Sequence, residues 1–201
     1  MNRKEDTTLA YYNSHSEAFS ADTADLEFSS IQDQFLSYLP KGAYILDFGC
    51  GAGRDTRYFL KHGYTMDACD GSLEMVKIAS RNTGLPVRHM LFQELNETEK
   101  YDGIFACASI LHVPYQELPD ILTRMRTALK RNGVMYVSFK YGDFEGERNG
   151  RYFTDMNEEK FRRLLEGIPP LSILAENITS DARPGRSDEK WLNVYLRKTD
   201  E

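Results

Sequence analysis

Apolar residues in this chain cluster in short blocks that alternate between two spacings. Residues 44–48, 64–69, 87–92, 104–109 and 134–139 are apolar runs of strand length, about 4–8 residues and bounded by turn formers. Helical spacing fills the intervals. Residues 29–39 carry Ile31, Phe35, Leu36 and Leu39 and stop at Pro40. Residues 56–62 end at Gly63, and 72–81 set Leu73, Met75, Val76 and Ala79 on one face. Residues 118–129 form a further amphipathic helix. Residues 131–133, Arg-Asn-Gly, turn into the fifth strand. Residues 7–20 hold Tyr11, Tyr12 and Phe19 among polar positions and predict an N-terminal helix or lid. Residues 141–152 read as a polar, glycine-rich loop, 158–165 as a helix, and 171–179 and 191–196 as closing strands joined by the charged loop 181–190. Alternating strands and helices predict an α/β fold, a doubly wound, mostly parallel sheet covered on both faces. The two closing strands have no crossover helix between them, so they should pair antiparallel.

Composition narrows the class. A chain of 201 residues with 41% hydrophobic content fits one domain with a full core. No apolar run approaches the ~20 residues needed to cross a bilayer. The charged start, Met1 to Asp6, has no apolar stretch behind it, which predicts a cytoplasmic protein without a signal peptide or membrane contact. Cys50, Cys69 and Cys107 are odd in number and widely spaced, against both a disulfide framework and a metal site. A net charge of −6 argues against a protein that coats nucleic acid.

The chemistry concentrates after the first strand. Asp47-Phe48-Gly49-Cys50-Gly51-Ala52-Gly53-Arg54-Asp55 joins a strand to a helix N-terminus through a loop with little side chain, a place where a ligand can lie against backbone. A dinucleotide fold wants G-x-G-x-x-G, and a triphosphate loop wants G-x-x-x-x-G-K-[ST]; neither spacing is present. The spacing Asp47-x-Gly49-x-Gly51-x-Gly53 instead resembles the first motif of class I S-adenosylmethionine-dependent methyltransferases. Asp70 closes the second strand in Cys69-Asp70-Gly71-Ser72-Leu73-Glu74-Met75, Tyr101 to Cys107 resembles the family's fourth-strand motif, and Leu129 to Met135 resembles its turn before strand five. The resemblance covers roughly residues 40–140. Arg54-Asp55 with Ser109-Ile110-Leu111-His112-Val113-Pro114 is similar to the small bacterial, tellurite-resistance-related type.

The resemblance implies a Rossmann-like, seven-stranded, mostly parallel sheet with an antiparallel last strand. It implies S-adenosylmethionine as cofactor and S-adenosylhomocysteine as product. The implied cofactor-binding set is Asp47, Gly49, Cys50, Gly51, Gly53, Arg54, Asp70, Gly71, Ser72, Met75, Leu91, Phe92, Cys107 and Tyr12. Asp47 would face the methionine ammonium, Asp70 would hold the ribose, and the Cys107 carbonyl would also meet the ammonium. Family members often carry an acid after strand three for the adenine; His89 to Glu94 offers none at that place. The domain would divide into a helical cap over residues 1–40, a cofactor core over 41–140, and substrate-side loops with closing strands over 141–201.

In an open parallel sheet, ligands bind at the carboxyl ends of the strands. Arg148, Arg151, Arg183 and Arg186 lie on loops of that edge. Arginine suits carboxylate and phosphate, so an anionic small-molecule acceptor is one expectation. The other is that these arginines pair with neighbouring acids and only order the loops. Methyl transfer needs chiefly alignment, worth ~7–11 kcal/mol at best. A base is needed where the acceptor must lose a proton. His112, just past strand four, is the candidate because it can titrate near neutrality. Two further readings stand beside the small-molecule enzyme: a methyltransferase acting on tRNA or protein, and a non-catalytic, S-adenosylmethionine-binding regulator. Either a monomer or a homodimer fits the sequence.

Overall fold

Period-two burial along the strands builds two cores, one on each face of the sheet. The computed structural model describes residues 3–23 and 26–199. In chain order its elements are α1 (Arg3–Thr23), α2 (Ser29–Ser37), β1 (Tyr44–Phe48), α3 (Arg54–Lys61), β2 (Thr65–Asp70), α4 (Leu73–Thr83), β3 (Arg88–His89), β4 (Tyr101–Ala106), α5 (Leu118–Ala128), β5 (Leu129–Lys140), β6 (Glu145–Arg148), β7 (Arg151–Thr154), α6 (Glu158–Glu166), β8 (Leu171–Ser180) and β9 (Lys190–Lys198). Leu46, Phe48, Ile104, Ala106, Met135 and Val137 pack with Ile121, Leu122 and Met125 of α5 and Phe161 and Leu164 of α6. The alternate positions Ile45, Phe105, Val134 and Tyr136 meet Phe35 of α2 and Phe59 of α3 on the other face. That second core is aromatic: Phe105 and Tyr136 stack with ring centroids 4.4 Å apart.

The sheet has seven strands in the order β3-β2-β1-β4-β5-β9-β8. The pairs β1–β2, β1–β4, β2–β3 and β4–β5 are parallel. β9 runs antiparallel between β5 and β8. The expected doubly wound sheet with an antiparallel last strand is the fold observed. The strand order reverses between β1 and β4, which places a crevice at their carboxyl ends.

Several boundaries moved, each for a local reason. The third strand shrinks to Arg88–His89, because Glu94 turns back to accept the Leu91 N–H (2.7 Å) and bends the chain into a 3-10 turn over Phe92–Glu94. The turn at 131–133 is absorbed into β5 as an irregularity, with Asn132 at φ 61 and the β4–β5 register shifting between Tyr101 and Gly103. The largest difference lies in residues 141–152. They form not a loop but most of a hairpin, β6 against β7, paired Glu145↔Thr154 through Arg148↔Arg151. Asn149 and Gly150, at φ 50 and 76, make its two-residue turn. Asn-Gly between strands is a strong hairpin signal; here the surrounding glycines and charges masked it.

Two features under the glycine loop fix its height above the sheet. Gly53 has φ +84, and a Cβ there would sit 2.7 Å from Thr83 Cγ2 of α4. Asp47 is 1% exposed at the end of β1 and accepts a hydrogen bond from Thr56 Oγ1 of α3 at 2.5 Å. Burial, then the neighbouring Asp55 charge, pushes the Asp47 carboxyl up to about 8.

Two predictions follow from these contacts. Gly53→Ala should destabilise the fold by the left-handed strain of about 1–2 kcal/mol plus a clash with α4. Adding Thr83→Ser removes the clashing methyl and should recover only the second part, read by urea denaturation of both variants. The second concerns pH. The folded chain holds the Asp47 proton between the ordinary value of 3.8 and about 8, whereas the unfolded chain has released it. Stability therefore drops as pH rises through that window. Asp47→Asn has no such proton, so its melting temperature should gain on the wild type across the window. Melting temperatures of the two proteins that run parallel with pH would refute the assignment.

Candidate active site

The carboxyl ends of β1, β2, β4 and β5 open into a cavity of about 710 Å³, well inside the roughly 300–1,000 Å³ typical of small-molecule sites. The glycine loop is its floor. Gly49 N and Cys50 N both donate to the Cys69 carbonyl at 3.0 and 2.9 Å, and Gly51 N donates to Asp70 Oδ2 at 2.9 Å. The other Asp70 oxygen accepts from Ser72 N at 2.8 Å. Burial holds the Asp70 carboxyl above its ordinary value, against the pull of those two N–H groups. A Cβ on Gly51 would meet only Phe19, 3.9 Å away, so this stretch of backbone is open to the cavity. A Cβ on Gly49 would instead lie 2.5 Å from Ser109 Cβ; that glycine serves the approach of the loop after β4.

Of the sequence-derived cofactor set, Gly49, Cys50, Gly51, Arg54, Asp70, Gly71, Met75, Leu91, Phe92, Cys107 and Tyr12 lie on the cavity wall. Asp47, Gly53 and Ser72 do not. Asp47 is spent on Thr56, Gly53 packs on α4, and Ser72 caps α4 by accepting from Met75 N at 3.2 Å. Beside Asp70, the carboxylate that reaches the wall near the loop is Asp55, not Asp47. It accepts from Gln32 Nε2 at 2.6 Å and from Arg54 Nη2 at 2.8 Å. Arg54 lies over the Phe28 ring, 3.9 Å from its centroid, and also donates to Cys107 Sγ at 3.6 Å. Burial opposes the Arg54 charge, but Asp55 outweighs it and the guanidinium holds its proton more firmly than usual. Phe19, Phe28, Asp55 and Gln93 are wall residues that sequence reasoning did not select. Asp55 could have been found from its place in the first turn of the helix; Phe28 and Gln93 carry no such signal.

Helix α1 roofs the cavity and touches both halves. Asn13 Oδ1 accepts from Ser72 Oγ at 2.7 Å on the α4 side. Thr8 Oγ1 accepts from Tyr152 N at 2.9 Å on the hairpin side. Between them Tyr12 meets His112, with Tyr12 Oη 2.9 Å from His112 Nε2. The other ring nitrogen, Nδ1, lies 2.6 Å from the Tyr152 carbonyl. A carbonyl only accepts, so Nδ1 carries the proton. Burial lowers the His112 pKa to about 4, with Arg151 adding to the effect and the Tyr152 carbonyl opposing it. The neutral ring therefore presents an Nε2 lone pair, and Tyr12 donates to it.

The four arginines do converge on this cavity, and three of them are matched. Arg148 pairs with Asp155. Arg183 donates through Nε to Asp181 at 2.8 Å, and Arg186 approaches Glu189 at 3.7 Å. Arg151 differs. Its guanidinium lies 4.6 Å from the Tyr11 ring centroid and 5.1 Å from that of Phe153, and its Nη1 donates to Tyr12 Oη at 3.4 Å. Its buried Nε has no hydrogen-bond partner, and among the described residues no carboxylate pairs with it.

Comparison with known proteins agrees with this geometry. Residues 45–133 match the family model of a methyltransferase domain. A probable methyltransferase of Aspergillus luteorubrus is 31% identical over 116 residues, covering 50% of this chain and 41% of that protein. The chain spans less than half the length of the curated relatives it matches. Among solved structures, 1,6-didemethyltoxoflavin-N1-methyltransferase of Burkholderia thailandensis, crystallised with 1,6-didemethyltoxoflavin and S-adenosylhomocysteine, superposes with a TM-score of 0.78 at 20% identity, over 100% of this chain and 92% of that one. Magnesium protoporphyrin IX methyltransferase of Synechocystis, with bound S-adenosylmethionine, gives 0.75 at 17% identity over 99% and 98%. Identities this low establish a shared fold. The stretch that carries the glycine loop, residues 45–133, thus matches a methyltransferase-domain model, and the chain shares the fold of these two solved methyltransferases.

Proposed function

We propose that this chain is an S-adenosylmethionine-dependent methyltransferase acting on a small anionic acceptor. The domain match, the bare Gly51 backbone and the Asp70 carboxylate support the cofactor. When bound, S-adenosylmethionine supplies a methyl group on a sulfonium centre. Asp70 would hold its ribose hydroxyls, Leu91 and Phe92 would wall the adenine, and Asp55 with the Cys107 carbonyl would face the amino-acid end. The Leu91 N–H is already given to Glu94, so apolar contact rather than that donor would hold the base.

Arg151 is the observation that carries the acceptor's charge. Among the described residues no carboxylate pairs with this cation on the cavity wall, and a ligand anion would complete it. The other three arginines, matched by Asp155, Asp181 and Glu189, order the loops around it. The finer likeness to the tellurite-resistance-related type, the division into cap, core and substrate-side segments, and a cytoplasmic location belong to this proposal. No helix among the described residues is long and apolar enough to cross a membrane. Action on tRNA or protein finds less support, because the unmatched cation lies beneath α1 rather than on an open face.

Calorimetry with S-adenosylhomocysteine tests the cofactor. Asp70→Asn should weaken binding roughly 10–100-fold, the worth of hydrogen bonds to a charged group. Incubation with methyl-labelled cofactor and a metabolite extract tests catalysis. Label should enter a small acidic product, and Arg151→Met should abolish this while keeping S-adenosylhomocysteine affinity. Wild-type protein that labels no metabolite, RNA or protein fraction would overturn the enzymatic reading.

A further inference from the structure

The hydrogen-bond chain under α1 has a direction. Tyr152 O fixes the proton of His112 on Nδ1, His112 Nε2 accepts the Tyr12 proton, and the Tyr12 oxygen keeps its lone pairs toward Arg151 and the cavity. A phenol that donates backward has a more basic oxygen in front. We propose that Tyr12 Oη accepts the proton of the methyl acceptor and passes its own to His112 Nε2, so that the acceptor is a neutral O–H or N–H nucleophile bearing a separate anionic group held by Arg151. This rests on the methyltransferase reading above and specifies its acceptor.

The step balances. The acceptor atom forms its bond to the methyl carbon with its own lone pair, and the electron pair of the donor's C–S bond stays on sulfur. The acceptor's X–H bond leaves its pair on X while the proton moves to Tyr12 Oη. The Tyr12 proton moves to Nε2. One cation on sulfur is exchanged for one on the imidazole, so the cavity creates no net charge. The groups that act on the pair are Arg151 from β7, Tyr11 beside Tyr12 on α1, and Asp70 at the end of β2. Arg151 works against a proton on His112. An acceptor anion on Arg151 cancels that coulombic opposition, so the same contact that binds the acceptor eases proton transfer to an imidazole held neutral chiefly by burial. His112 acts through Tyr12 and is a positioning and relay residue; Tyr12 is the catalytic one.

The test uses 15N-histidine-labelled full-length protein saturated with S-adenosylhomocysteine, with the His112 signal assigned by its loss in His112→Gln. The expected spectrum shows the Nδ1–H tautomer and a ring that is neutral at pH 7, with a titration midpoint well below the ordinary value of 6.5. Benzoate, the anionic probe, should bind and raise the His112 titration midpoint by roughly 1–3 pH units, whereas benzamide should not. In Arg151→Met, benzoate should produce no shift. An Nε2–H tautomer, a midpoint unmoved by bound benzoate, or failure of benzoate to bind the wild-type complex would each overturn the proposal. In the labelled-extract assay, Tyr12→Phe should lower kcat about 10²–10⁴-fold, far more than it changes KM for the methyl donor; unchanged turnover would also overturn it. Absence of any wild-type label transfer counts against the enzymatic reading itself, while the histidine spectra still decide the relay.

Discussion

The site depends on the bond between Gly51 N and the Asp70 carboxylate, 2.9 Å long. It ties the loop after β1 to the end of the neighbouring strand β2. The same carboxylate receives Ser72 N, which sets the start of α4. One side chain thus fixes the glycine loop, the α4 N-terminus and, through Ser72, the Asn13 contact of the roof helix. A backbone N–H that donates to an acid cannot drift, so the open stretch at Gly51 keeps its shape without a ligand. Preorganisation of this kind is what a site for one charged, polar cofactor requires.

The roof helix then couples the two ends of the cavity. Asn13 bonds toward the loop that would hold the cofactor, and Thr8 bonds to the backbone of β7. His15, at φ −119 and ψ 16, breaks the helical run just past this pair of contacts. Between them stand Tyr12, His112 and Arg151, drawn from α1, the segment after β4, and β7. No two of these segments are adjacent in the chain. The hairpin carries Arg151 over the cavity and supplies the Tyr152 carbonyl that orients His112.

The sheet was legible because its signals are local: apolar runs of strand length, caps such as Gly63, and turns between them. The glycine loop was legible for the same reason, since its residues are contiguous. Asp47 was harder. Its place at a strand end is visible in sequence, but its direction is not, and the structure turns it onto Thr56 rather than into the cavity. The arginines were read as a class, correctly gathered to one edge; which of them lacks a carboxylate depends on contacts such as Arg183 with Asp181 and Arg148 with Asp155. The hairpin carried its turn in plain view at Asn149-Gly150, yet polar flanks hid the strands. The Tyr12–His112 contact spans 100 residues, and no spacing rule reaches that far.

The strand order has a consequence for how the chain is made. β9 sits between β5 and β8, so β8 has no sheet neighbour until residues 190–198 are synthesised. The parallel core from β1 to β5 can pair while still attached to the ribosome. β8, with α6 before it, must wait beside an open β5 edge. An exposed edge in a partly built sheet invites pairing with other chains. The last nine-residue strand is therefore the closing piece of assembly as well as of topology, and shortening the chain there would be expected to cost solubility before it cost the fold of the remaining core.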